Sequence, residues 1–167
     1  MNRRAGAPGG AAVAWYGLLL LVAAGIQSGL LGRLGFREGH PDLVLTLALS
    51  AALLSDAGAG CLAGMASGLV TAAVVGQTVG TYLVSRTLAG FVAGWLTNRL
   101  YRGNIGVVVL GVFLTSVLAE VVYGLAAPRL TLRHWVQATL IGAAMNAVLA
   151  LPVTLLLRRC GWGKGNL

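Results

Sequence analysis

The sequence predicts an all-α, polytopic membrane protein in which six helices form one transmembrane domain. Composition is the first reason. Of 167 residues, 57% are apolar and only 10% are charged, with a mean hydropathy of +0.85, whereas about a quarter of the residues in a soluble domain are charged. The second reason is the run pattern, in which apolar stretches on the scale of the ~20-residue membrane helix alternate with short polar or basic interruptions. The third is a glycine period between Gly60 and Gly80. Glycine stands at 60, 64, 68, 76 and 80, with Ala72 in the one gap. Residues four apart share a helix face, and in lipid a face without bulk lets two backbones approach closely enough to hold together.

The elements follow in order. Residues 1–13 form a tail whose Arg3 and Arg4 imitate the basic region of a secretory signal, but the apolar run from Ala11 to Gly32 is too long for a signal core. It reads as an uncleaved first span, 14–32, with Trp15 and Tyr16 at interface level. Arg33, Arg37 and Glu38 mark a loop before the second segment, 41–54. There Pro41 suits a first helical turn and Asp42 the positive end of the helix dipole. At 14 residues it is short for a crossing.

After Ser55-Asp56, apolar sequence runs from Gly58 to Asn98 with Arg86 as its single charge. One helix of that length would extend about 60 Å, twice the hydrocarbon thickness, so the chain must reverse. Gly76-Gln77-Thr78-Val79-Gly80 is the natural place for a turn. Spans 60–76 and 80–98 result, the second with its own close-packing face at Gly90 and Gly94. A basic loop with Arg99 and Arg102 leads to a span at 105–127 containing Glu120. A loop with Pro128, Arg129, Arg133 and His134 leads to the last span, 135–157, which holds Asn146 and Pro152. Residues 158–167 are a tail opening on Arg158-Arg159.

Charge distribution sets the expected topology. The net charge is +8 and the pI about 10.8, but the cations are scattered between apolar runs as topology signals and lipid-headgroup contacts, not gathered into a nucleic-acid face. With six crossings and both termini cytoplasmic, the inner side holds Arg3, Arg4, Arg99, Arg102, Arg158, Arg159 and Lys164. The outer side holds Arg33, Arg37, Arg129 and Arg133. If 41–54 did not cross, most of the first group would move outside, against the positive-inside rule. The same topology puts Trp15, Tyr16, Trp95, Tyr101 and Trp162 near the inner interface and Tyr82, Tyr123 and Trp135 near the outer one. Cys61 and Cys160 face the reducing side, and no disulfide framework is implied.

The intramembrane polar residues are the candidate sites. Arg86 and Glu120 lie at matching depths, about 10 Å in from the outer ends of their helices, and an ion pair between them would answer the cost of a lone buried charge. The plainer alternative is a snorkelling Arg86 with Glu120 protonated or in a wet cleft. Asn146, Gln27 and Thr71 read as interhelical hydrogen-bonding groups and Pro152 as a kink. His40 and His134 read as solvated loop residues. No residues form the pattern of a nucleophile with its base, a carboxylate dyad, a metal-ligand set or a phosphate-binding loop, so no catalytic residue, cofactor or metal is expected.

Four segments taken together resemble a known family. HPDLVLTLALS at 40–50, LAGMASGLVTAAVVGQTVG at 62–80, TLAGFVAGWLTNRLYRGN at 87–104 and MNAVLALPVTLLLRR at 145–159 are similar in order and spacing to MreD, the bacterial rod-shape-determining membrane protein. Pro41 and Asp42, the Gly64 and Gly68 pair, and Asn146 with Pro152 carry the likeness. One departure is Ala72, which stands where the family usually has an aspartate, so that carboxylate's role does not transfer. The resemblance implies a non-enzymatic scaffold of the cell-elongation machinery in the bacterial inner membrane. It would bind the single-span protein MreC and, through it, act with the MreB filament and the RodA and class B penicillin-binding protein pair that builds peptidoglycan. The glycine faces would then serve either a partner helix or internal packing. MreD is similar in architecture to the S components of energy-coupling-factor vitamin transporters, so a substrate-binding S component is the alternative. Arg86, Glu120, Tyr82, Tyr123 and Trp135 are the residues an outer cavity would use. A proton-coupled carrier using Glu120 has less behind it, because no inverted repeat is evident.

Overall fold

The structure is a computed structural model that describes residues 10–29, 39–76, 79–97, 104–127 and 131–162. These fold as α1 (Gly10–Gly29), α2 (Leu43–Leu53), α3 (Ala57–Val75), α4 (Val79–Thr97), α5 (Ile105–Ala126) and α6 (Leu132–Arg159), with no strand among the described residues. Three of the helices, α3, α5 and α6, are long and apolar enough to cross a membrane. The expected turn residues Gln77 and Thr78, the loop cations Arg33, Arg37, Arg99, Arg102 and Arg129, and Arg3, Arg4, Glu38, Tyr101, Pro128 and Lys164 lie outside the described residues.

Several expected boundaries move. The first helix begins at Gly10 instead of 14, the third at Ala57 instead of 60, and the last runs from Leu132 to Arg159 instead of 135–157. Pro41 is not in the first turn of α2. It lies outside the helix, and Asp42 is the N-cap, its Oδ1 accepting the Leu45 N–H at 2.8 Å. Asp56 caps α3 through the Ala59 N–H, and Asn104 caps α5 through the Gly106 N–H, each at 2.8 Å. Short polar side chains in extended backbone do this because the first N–H groups of a helix have no partner within it.

The bundle is arranged around α2, which packs against each of the other five helices. Every residue from Val44 to Leu53 is buried. The centre of the bundle is thus α2 and not the glycine-periodic segment at 60–80. A helix that is apolar all round is a buried helix, and α2, at 11 residues, extends only about 16 Å. Its ends therefore stop inside protein, where water cannot satisfy them.

The glycine period is used between α3 and α4, which pack as an antiparallel hairpin. A Cβ added at Gly60 would overlap the carbonyl oxygen of Gly90, one at Gly64 that of Arg86, and one at Gly94 that of Asp56. At Gly68 it would stand 2.8 Å from the Tyr82 oxygen. Each step of four along α3 is matched by a step of four backwards along α4, so the seam holds one register. At these points a glycine α-hydrogen takes the Cβ direction and faces a carbonyl, the geometry of a weak Cα–H···O contact. Ser67, Thr71 and Ala72 extend the buried face of α3. Gly76 and Gly80 do not belong to the seam. Gly76 is the C-cap of α3 at φ 71°, a left-handed conformation in which side chains are strained. Gly80 has no atom within 4 Å of where a Cβ would stand.

The helix ends sort onto two faces of the bundle. At one, the start of α1, the end of α2, the start of α3, the end of α4 and the end of α6 meet. Tyr16 Oη donates to the Ala63 carbonyl at 3.1 Å, Thr97 Oγ1 to the Leu53 carbonyl at 2.9 Å, and Trp162 Nε1 to the Ala51 carbonyl at 3.0 Å and Ser55 Oγ at 2.8 Å. Tyr16 and Trp162 are thus buried against each other, ring centroids 5.2 Å apart. Trp15 and Trp95 remain exposed. Trp162→Phe should keep the stacking and lose the indole donor. A loss of about 1 kcal/mol is expected, read as a lower unfolding midpoint when the purified protein is titrated with sodium dodecyl sulfate.

Candidate functional site

The opposite face gathers the polar residues, and the start of α2 explains why. Its leading N–H groups open into protein, so side chains from other helices must accept from them. Gln27 of α1 accepts the Val44 N–H at 3.0 Å, and Asn146 of α6 accepts the Asp42 N–H at 2.7 Å. Asn146 Nδ2 in turn donates to Ser116 Oγ of α5 at 3.3 Å. The Thr46 hydroxyl donates back to the Asp42 carbonyl at 2.7 Å. Gln27 and Asn146 therefore act as the interhelical groups their positions suggested, whereas the buried Thr71 hydroxyl has no partner among the described residues.

Arg86 does not pair with Glu120. Its Nη2 donates to Asp42 Oδ2, forming an ion pair in which the arginine is 4% and the aspartate 17% exposed. Asp42 is therefore a joint of four connections: it caps α2, places a negative charge at the positive end of that helix, hydrogen-bonds α6 and pairs with α4. Glu120 is half-buried on α5 and within electrostatic reach of both members of the pair. The Arg86 guanidinium also lies over the Tyr82 ring, 5.3 Å from its centroid, and Tyr82 lies against Tyr123 with centroids 4.8 Å apart. Arg86 Nη1 is buried and has no partner among the described residues. Trp135, also expected in this group, packs its indole on Gly124 of α5.

Of the residues singled out in the sequence, the structure brings together Asp42, Arg86 and Asn146, with Glu120 nearby. Gly60, Gly64, Gly68, Gly90 and Gly94 serve the α3–α4 seam. Pro152 lies inside α6, where it has no N–H to donate to the Val148 carbonyl. The ion pair escaped the sequence reading because depth was counted from helix ends placed at the interface. A shorter α2, beginning below that level, lowers Asp42 to the height of Arg86. The signal available was the 14-residue length of the segment itself.

These features define an all-helical protein, three of whose helices are long and apolar enough to cross a membrane, in which a buried charge pair fastens a short internal helix to its surroundings. No protein-family model, curated protein or solved structure matches the chain.

Proposed function

We propose that the chain is a six-crossing, MreD-like scaffold of the bacterial inner membrane, with both termini cytoplasmic, which binds MreC and supports lateral peptidoglycan synthesis. The observation that carries this reading is the contact between Asp42 and Asn146, 104 residues apart. Two separate landmarks of the resemblance make one joint, as expected if they belong to one inherited design. The helix directions alternate, so Gly10 and Trp162 lie at the same end of the bundle, along with the basic last turn of α6. That arrangement fits a cytoplasmic location for both chain ends under the positive-inside rule. Because Gly90 and Gly94 already pack on α3 backbone, a partner helix would bind on the lipid-facing sides of the bundle instead.

One observation favours the S-component alternative, the convergence of Arg86, Tyr82 and Tyr123 beside Asp42. Arg86 Nη1 aside, these groups spend their contacts on one another, which suits a structural joint better than a substrate cradle. Purification from the native host in mild detergent, with identification of co-purifying chains, separates the two readings. Recovery of MreC and wall synthases is the expected result. Recovery of an ATPase module or a bound vitamin would replace the scaffold with the transporter component.

A further inference from the structure

At the Trp162 end of the bundle a groove of about 430 Å³ opens between the first turns of α1 and α3, lined by Val13, Tyr16, Asp56, Leu62, Ala66 and Trp162 among others. The polar atoms of its two aromatic residues point elsewhere, since the Tyr16 hydroxyl and Trp162 indole N–H are spent on Ala63, Ala51 and Ser55. The groove therefore receives ring faces and aliphatic carbons, with one exception. Asp56 uses Oδ1 to cap α3, and among the described residues no cation pairs with its carboxylate.

Volume and charge together select an occupant. A helix with side chains is about 10 Å across and rises about 5.4 Å per turn, so the groove accommodates roughly one turn of a partner helix. A slender apolar chain fits along it. A carboxylate beside the groove repels an anionic headgroup and attracts an ammonium. The exposed Arg159, in the last turn of α6 and three residues before Trp162, adds a cation at the same end for a phosphate. An acid on the groove with a base at the same end of the bundle matches a zwitterionic headgroup.

We propose that this groove holds an acyl chain of phosphatidylethanolamine, with the lipid ammonium on Asp56. The site is independent of any protein partner, so it stands whether or not MreC co-purifies. The test uses the full chain reconstituted in nanodiscs of mixed phosphatidylethanolamine and phosphatidylglycerol, with retained lipids counted by native mass spectrometry after release into mild detergent.

The wild type should retain one phosphatidylethanolamine. Ala66→Phe, which fills the groove from a half-buried position, should lose it several-fold. Asp56→Asn keeps an effective helix cap and should still hold lipid, but with its preference over phosphatidylglycerol reduced roughly two- to five-fold. Thermal unfolding of each variant reports folding, and if Ala66→Phe does not fold, the Asp56→Asn preference decides alone. Equal retention of the two lipids by the wild type would overturn the proposal. So would undiminished retention by a folded Ala66→Phe, or a photo-crosslinker at Leu62 that captures a polypeptide and not lipid.

Discussion

Gly64→Leu is expected to leave the chain inserted in the membrane but to abolish the folded bundle. A Cβ at this position overlaps the Arg86 carbonyl oxygen and would also lie 3.1 Å from the Thr87 Cα. Both obstacles are backbone, so no rotamer change relieves them and α3 must move away from α4. Ordinary overpacking costs about 1–3 kcal/mol. Here the displacement also opens the register at Gly60, Gly68, Gly90 and Gly94, so the loss should exceed that range. Insertion precedes helix association and depends on hydropathy, which leucine raises. The expected result is therefore normal membrane abundance with no cooperative thermal transition in detergent.

Gly80→Ala is the control, because open space surrounds that position, and its midpoint should equal the wild type's. Gly76→Ala should fall between, costing about 1–2 kcal/mol for a left-handed residue. A folded, stable Gly64→Leu protein would mean that the α3–α4 seam is not the close contact described here.

Breaking the charge pair should be the other large effect. Arg86→Met leaves the Asp42 carboxylate inside the bundle without its partner, and Asp42→Asn leaves a guanidinium that is 4% exposed. Removing one member of a buried pair typically costs about 3–5 kcal/mol, because the remaining charge keeps its desolvation penalty and loses its compensation. Asparagine still caps a helix, so Asp42→Asn isolates the charge from the cap. The double variant should cost much less than the sum of the two singles, and this non-additivity is the signature of direct contact. A parallel cycle between Arg86 and Glu120 should show the smaller coupling. Unfolding midpoints of the purified variants in sodium dodecyl sulfate decide it, and equal coupling in the two cycles would mean Arg86 is shared between the carboxylates.

Much of the fold was legible in one dimension. Each helix announces itself by its apolar run, and Asp42, Asp56 and Asn104 stand where helices begin. Four-residue glycine spacing forecast a close helix contact, and the reversal near Gly76 followed from the length of the run against the thickness of a bilayer. What the spacing did not distinguish was glycine in a seam from glycine in a turn. Gly64 and Gly76 belong to the same period, yet one meets a carbonyl and the other adopts φ 71°.

The candidate site was half legible. Gln27, Asn146, Arg86 and Asp42 were each visible as polar residues in or beside apolar runs, but their partners were not. Arg86 and Glu120 seemed to match because depth along a helix is countable from sequence. Direction around its axis relative to a neighbour is set only when helices pack.

By itself, then, the sequence determined six helices, their approximate limits and the requirement that small residues meet backbone somewhere. These are local consequences of hydropathy and side-chain size. Tertiary structure decided that the shortest helix lies at the centre and that Asp42 takes Arg86. An 11-residue helix cannot bring both ends to water, so α1, α4, α6 and Trp162 had to supply its hydrogen bonds and its counter-charge from wherever packing placed them.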